Sequence, residues 1–354
     1  MNDNCKKHVD SCRFCWMCRH ICPIGNTTGL ERNNARARAL GISLVNRGVY
    51  DISEVIDNVY ECACCSACTK ECVTGWDPVM FIKQARVDAA LEGKLPEYIN
   101  VLVDNCIETG NAYGKTEISD ELKNAIKAHD KKTDTLLFLG VDARYMAPDC
   151  AINAIKALEK LGVEFTVLAD ELPSGQQLEY LVSAVDETKQ QMDACAKQLN
   201  AFKTVIAYDP QDAKVFLREY KEWNINLIAQ VKTFTTVLSE NTDKLTKLDK
   251  NVVYQDPYQL ARDLAETEEA RKVISARCQL NEMLVHGKDT MWAGNILMAC
   301  WLPEVIKGVA KDRIFNAKCV KADCIVTASV SEYVALKNVA DDVEIISIEE
   351  LVLR

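Results

Sequence analysis

Cys12–Cys22 reads CRFCWMCRHIC and Cys62–Cys72 reads CACCSACTKEC. Each stretch is a C-x2-C-x2-C-x3-C run, the spacing that holds a [4Fe–4S] cluster. Three cysteines two residues apart bring their sulfurs onto three irons of one cube. The fourth, beyond the longer gap, reaches the neighbouring cube. The spacing predicts one cluster on Cys12, Cys15, Cys18 and Cys72, and a second on Cys62, Cys65, Cys68 and Cys22. Cys64 is out of register with the repeated gap. Eight thiolates so arranged point to electron transfer and say little about what is oxidised.

Other uses of these cysteines fit less well. Disulfides need an oxidising compartment, and the polar Met1–Asp10 is followed by no apolar stretch that would direct export. A zinc site typically takes two cysteine pairs across a longer loop, which would leave half of the eight thiols unused. The 354 residues carry 42 basic and 52 acidic side chains, a net charge of −10. That balance argues against a dedicated nucleic-acid binder, whose domains present a basic face. No apolar run nears the ~18–20 residues of a membrane span; the longest, such as Thr135–Val141, have strand length. The chain reads as cytoplasmic, in a reducing and oxygen-poor setting, where 17 cysteines fit metal ligation better than cross-linking.

A chain of this length is expected to form two or three domains. Residues 1–114 read as an all-α, ferredoxin-like two-cluster domain. Thr27 or Thr28 is expected to cap a helix from about Leu30 to Gly48, Ser53 and Glu54 to open a short helix, and Asp77–Pro78 to begin one that Gly93 closes. Residues 115–132 read as a charged linking helix. Residues 133–248 and 249–354 then alternate strands with helices, which implies two α/β lobes with parallel sheets. In the first, strands are expected at Asp134–Gly140, Glu164–Leu168 and Thr204–Tyr208, with helices at Ala151–Leu161 and Glu179–Phe202. In the second, strands are expected at Val252–Gln255, Met283–His286, Cys324–Ala328 and Val343–Ile348, with helices at Ala261–Ala276 and Gly294–Ala310. Two such cycles imply a duplication. The fold class is α+β, multidomain.

The doubled cysteine run, Gly110–Gly114 (GNAYG) and the paired α/β cycles together resemble the iron–sulfur subunits of the heterodisulfide reductase, glycolate oxidase and anaerobic glycerol-3-phosphate dehydrogenase group. In that group a two-cluster helical domain precedes two cysteine-rich "CCG" repeats. The resemblance places cysteine ligands at strand-edge phrases where this chain has none. Val141 stands after the first strand's glycine. Pro173–Ser174 and Val285–His286 replace cysteine pairs, Asp209–Asp212 and Ser329–Glu332 replace cysteine turns, and Asp256–Pro257–Tyr258 replaces an aspartate–proline–cysteine step. The resemblance thus implies degenerate CCG-like lobes, with no cofactor of their own, that dock a partner or a second copy.

Cys106, Cys150, Cys195, Cys278, Cys300, Cys319 and Cys324 are scattered without x2 spacing and are expected to be structural. His286 is expected to pack rather than ligate, and His8 and His20 to be solvated. Trp16 and Trp76 lie beside cluster cysteines. Arg13, Arg19, Arg32, Arg36 and Arg38 make this region locally basic. No glycine-rich nucleotide fingerprint is present, so a flavin would sit in another chain. The expected function is an electron-transfer subunit of an oxidoreductase complex. Two [4Fe–4S] clusters would pass single electrons between an FAD-containing partner and a further carrier. The alternatives are thiol–disulfide catalysis in the lobes, and an iron–sulfur scaffold or redox sensor.

Overall fold

In a computed structural model, which describes residues 3–13 and 15–354, the chain combines helices with two parallel sheets. The N-terminal third is helical, with its longer helices at Ala35–Asn46, Pro78–Leu91 and Glu97–Thr109. Asn34 caps the first of these by accepting from the Ala37 amide (3.0 Å), so neither Thr27 nor Thr28 does. Those threonines instead end a shorter helix, Pro23–Thr28, closed by Gly29 in the left-handed conformation. Asp51, not Ser53, opens the next turn, and Glu54 completes a capping box with it. Asp77 caps Pro78–Leu91 as expected, with proline at its first position.

The helix Asp120–Ala128 is capped by Ser119 and turns Leu122 and Ile126 inward. Both belong to the core that runs under the sheets, while the charged face stays in solvent.

The first sheet has the order β1 (Thr135–Phe138), β2 (Thr204–Ala207), β3 (Gln230–Thr233), all parallel. The expected strand at Glu164–Leu168 reduces to one parallel bridge, Leu136 with Thr166, on the free edge of β1. The second sheet has the order β5 (Gln279–Asn281), β4 (Asn251–Gln255), β6 (Cys324–Thr327), β7 (Glu344–Ser347), again parallel. Counting the Thr166 bridge, both sheets follow the same order: second segment, first, third, fourth.

Several expected elements are broken or moved. The long helix over Glu179–Phe202 is two, Gln176–Val182 and Asp186–Leu199, separated where Ser183 takes a positive φ of 58°. The helix over Ala261–Ala276 is a π-turn at Gln259–Asp263, then Glu269–Arg277 beyond Ala265 at φ 57°. A matching π-turn, Val215–Glu219, follows β2. Met283–His286 is not a strand; the pairing moves to β5, just upstream. The helix expected from Gly294 begins instead at Pro303 and runs to Cys319. Gly294 is at φ 127°, and a Cβ there would stand 2.6 Å from the Ala335 Cβ, so this glycine serves a close approach rather than a helix start.

Candidate functional site

The two cysteine runs share a local conformation. The residue after the second cysteine, Trp16 in one run and Ser66 in the other, is left-handed (φ 71° and 59°), and a short helix carrying the third cysteine follows. Neither residue is glycine, so each turn carries some backbone strain, of the kind that collects at functional sites. The reversal swings the third sulfur back toward the first two.

One cavity is lined by Cys12, Cys15, Cys18 and Cys72, together with Arg13, Trp16, Met17, Arg36 and Trp76. A second is lined by Cys22, Cys62, Cys65 and Cys68, together with Ile24, Arg38, Ala63 and Ile82. The fourth cysteine of each run thus lies at the cavity of the other run. Among the described residues, no three histidine, cysteine, aspartate or glutamate side chains are placed to hold a single metal ion. Four thiols around one space, no three of them placed for a single ion, fit a multi-iron cube better than one zinc ion.

The two cavities differ in surroundings. At the first, Cys15 is exposed, as are Trp16 and Met17. At the second, Cys65 is buried, and Ile24, Ala63, Cys65 and Ala67 join the core shared with the sheets. Burial pushes the Cys65 thiol up to about 11 and raises Cys68 well above the ordinary thiol value, while burial raises Cys22 despite the nearby Arg38 guanidinium. Cys62 goes the other way, to about 5, because the Cys64 thiol hydrogen-bonds it. Cys64 is therefore a neighbour of the second cavity, although the spacing alone gave it no part.

Three arginines hold the loops of this second cavity by their carbonyl groups. Arg38 donates to Asn33 O (2.7 Å), Asn58 O (2.9 Å) and Glu61 O (3.0 Å). Arg86, fully buried in Pro78–Leu91, donates to Cys62 O (2.9 Å), Val59 O (3.3 Å) and Tyr180 O. Its guanidinium sits 4.7 Å from the Tyr60 ring centre and 5.2 Å from that of Tyr180. Arg262, from the π-turn after β4, donates to Cys65 O (2.8 Å) and Thr290 O (2.7 Å). Arg86 and Arg262 were not singled out from the sequence. An arginine on the buried face of a helix is the only local signal Arg86 offers.

Of the other expectations, Trp76 is buried and donates to His8 O (2.7 Å). His8 is packed rather than solvated: it stacks on Trp76 at 6.2 Å, with Nε2 2.8 Å from the Asp77 amide. His20 is largely exposed. Cys106, Cys150, Cys195, Cys278 and Cys324 are buried, whereas Cys300 and Cys319 are exposed. His286 is exposed rather than packed, with Nδ1 2.7 Å from Met283 O.

The ligand-like phrases of the two sheets meet at the C-terminal ends of their strands, where parallel sheets commonly form binding crevices. Asp142 accepts from Tyr113 (2.8 Å), Gln177 (2.9 Å) and Ser331 (2.8 Å). Asp209 accepts from the Gln211 amide (2.8 Å) and, across the seam, from the Val330 amide (3.3 Å). Asp212 accepts from Ser174, and Gln259 donates to Gln211 Oε1 (3.2 Å). Asp256 is held by both Arg271 nitrogens (2.6 and 2.9 Å) and the Gly287 amide (2.8 Å). Burial raises Asp142 and Asp212, lifts Asp209 to about 7 with help from the Asp142 charge, and lifts Glu332 to about 8. These carboxyls bond to protein donors and to one another's turns.

No family model matches the chain. Among curated proteins it is similar to the D subunit of dihydromethanophenazine:CoB–CoM heterodisulfide reductase. The Methanosarcina mazei protein is 24% identical over 361 residues, covering 90% of this chain and 85% of that one. The Methanosarcina acetivorans protein is also 24% identical, covering 90% and 86%. Among solved structures, glutamate racemase RacE1 of Bacillus anthracis aligns at a TM-score of 0.32 and 16% identity, covering 64% of this chain and 80% of that one. A score so low carries no argument.

Proposed function

We propose that this chain is an iron–sulfur electron-transfer subunit of an oxidoreductase complex. In this reading one [4Fe–4S] cluster is held by Cys12, Cys15, Cys18 and Cys72, and the other by Cys22, Cys62, Cys65 and Cys68. The observation that carries it is the gathering of these eight cysteines around two cavities, four to each, with the fourth cysteine of each run exchanged. Likeness to a heterodisulfide reductase subunit over nine-tenths of the chain supports the complex. When bound, such clusters take up and release single electrons.

The protein's own residues do the rest. Arg38, Arg86 and Arg262 fix the loop carbonyls behind the inner cysteines, which sets sulfur positions without occupying the cavity. Trp76 covers one wall of the outer cavity, and the core around Ile24 and Ala67 keeps water from the inner one. The strand-end carboxyls take no cofactor in this reading, since hydroxyl and amide donors already engage them. A flavin-containing partner would supply or accept electron pairs, and a further carrier would complete the relay. Anaerobic purification of the complex from the native host tests this. A stoichiometric flavoprotein beside this chain, with no turnover of small substrates by the chain alone, is the expected result. Steady-state turnover by the isolated chain would overturn it.

A further inference from the structure

The charge of this acidic protein is unevenly placed. Between Cys12 and Arg47 stand six arginines and a single acidic residue, Glu31, within a chain of net charge −10. Arg38 is buried under the inner cavity, Arg32 pairs with Glu61 and Arg47 with Asp10 (3.5 Å), and Arg13 and Arg19 are exposed. Amid them lie apolar side chains in contact with water: Trp16 (45% exposed), Met17 (39%) and Leu30 (53%). The Arg36 guanidinium lies 3.6 Å from the Trp16 ring centre and that of Arg19 5.7 Å, so the indole presents a cationic collar. Beside it, a surface recess is lined by Trp16, Arg19, His20, Gly25, Leu30 and Asn34.

Arg13, Trp16, Met17 and Arg36 also form the wall of the outer cysteine cavity. A protein seated on this face would therefore touch that wall directly. An apolar, aromatic centre with a charged rim is the anatomy of a docking surface. The rim's sign opposes that of the remaining chain, which matters for steering.

We propose that this face receives the acidic surface of an electron-carrying protein, with Trp16 and Met17 at the centre and Arg13, Arg19 and Arg36 at the rim. The inference rests on the reading of Cys12, Cys15, Cys18 and Cys72 as cluster ligands. The Glu31 carboxylate, held by Arg19 (2.9 Å) and Arg36 (3.5 Å), orients the two guanidinia in the free chain. An acidic partner would exchange with it or share them.

Two probes of opposite charge test the proposal: oxidised plastocyanin, a small acidic copper protein, and ferricytochrome c, which is basic. Each encounter moves one electron from a reduced cluster to the probe, taking Cu(II) to Cu(I) or Fe(III) to Fe(II), with no proton required. Stopped-flow oxidation of the reduced, iron-loaded chain gives rates, and interferometry on the same proteins gives binding. The expected result is faster oxidation by plastocyanin at low ionic strength, with rate and binding falling as salt rises. Arg13→Glu with Arg19→Glu should lower both for plastocyanin by about tenfold or more and raise both for cytochrome c, with iron content unchanged. Net charge alone predicts the opposite order for the native chain, so faster oxidation by cytochrome c overturns the docking face. An iron-loaded variant with native plastocyanin rates overturns it equally. If the variant loses iron, the salt series on the native chain still decides. A native chain that never holds iron sinks the cluster reading itself, and the docking face with it.

Discussion

The cysteine cavities and the strand-end seam are both places where chemically able side chains converge, yet they are built in opposite ways. Around the cavities, thiols from separate loops face a shared space, and arginines grip the backbone behind them while leaving that space clear. At the seam, Asp142, Asp209 and Asp212 close on donors from both sheets and from Tyr113. The first arrangement needs something to complete it. In the second the carboxyls are already engaged, and they join the sheets as a polar mortar. Convergence of ligating residue types is thus a weak sign of a cofactor. What separates the two is whether the polar atoms have been spent on each other.

If that contrast holds, cysteine changes should act through iron and seam changes through stability. The largest effect is expected for Cys65→Ser. Iron should fall from about eight to about four per chain, with a lower midpoint of thermal unfolding, because Cys65 lies in the core shared with the sheets. Cys15→Ser, at the exposed cavity, should remove as much iron with a smaller loss of stability; iron assay and calorimetry on both variants check this. Next comes Arg86→Ala, which strands the buried Val59 and Tyr180 carbonyls and the half-buried one of Cys62, and should cost about 3–5 kcal/mol in denaturant unfolding.

The seam predicts an unusual pH dependence. Asp209 and Glu349, which accepts from the Tyr208 hydroxyl (2.7 Å), are raised to about 7, and Glu332 to about 8. A raised carboxyl binds its proton more tightly folded than unfolded, so its contribution is fully present below the unfolded value near 4 and lost as pH rises through 7–8. Thermal stability should therefore fall between about pH 4 and 8 and level off above that, and Asp209→Asn should flatten that slope. A profile that rises over this range would contradict the assignment. The smallest effect is expected for Ser331→Ala, which removes one donor from Asp142 and should cost about 1 kcal/mol without changing iron content.

The doubled C-x2-C-x2-C-x3-C spacing is legible in the sequence, and its short fixed gaps leave little conformational freedom within a run; the cavities that the thiols line come from tertiary structure. Apolar runs likewise located β1, β2, β4, β6 and β7, but β5 was placed too late, at Met283–His286, and β3 (Gln230–Thr233) was missed. Its side chains are largely half-exposed or exposed, so it carries no buried apolar run to detect. The break at Ser183 was illegible for another reason. Helix Gln176–Val182 is buried on every side, so its apolar and polar residues show no periodicity against Asp186–Leu199. Arg86, Arg262 and Asp142 bind groups scores of residues away, a feature that only tertiary structure reveals. The strand-edge phrases were recognisable as departures from a ligand pattern, but not as partners of one another.

The most direct test of the two-cavity account is iron quantitation with electron paramagnetic resonance on the native chain purified without oxygen. The account predicts about eight irons per chain and, on reduction, the signals of two neighbouring [4Fe–4S] clusters. A count near four or below would leave one cysteine cavity unexplained. A count well above eight would place iron at the strand-end seam and contradict the claim that its carboxyls are already satisfied.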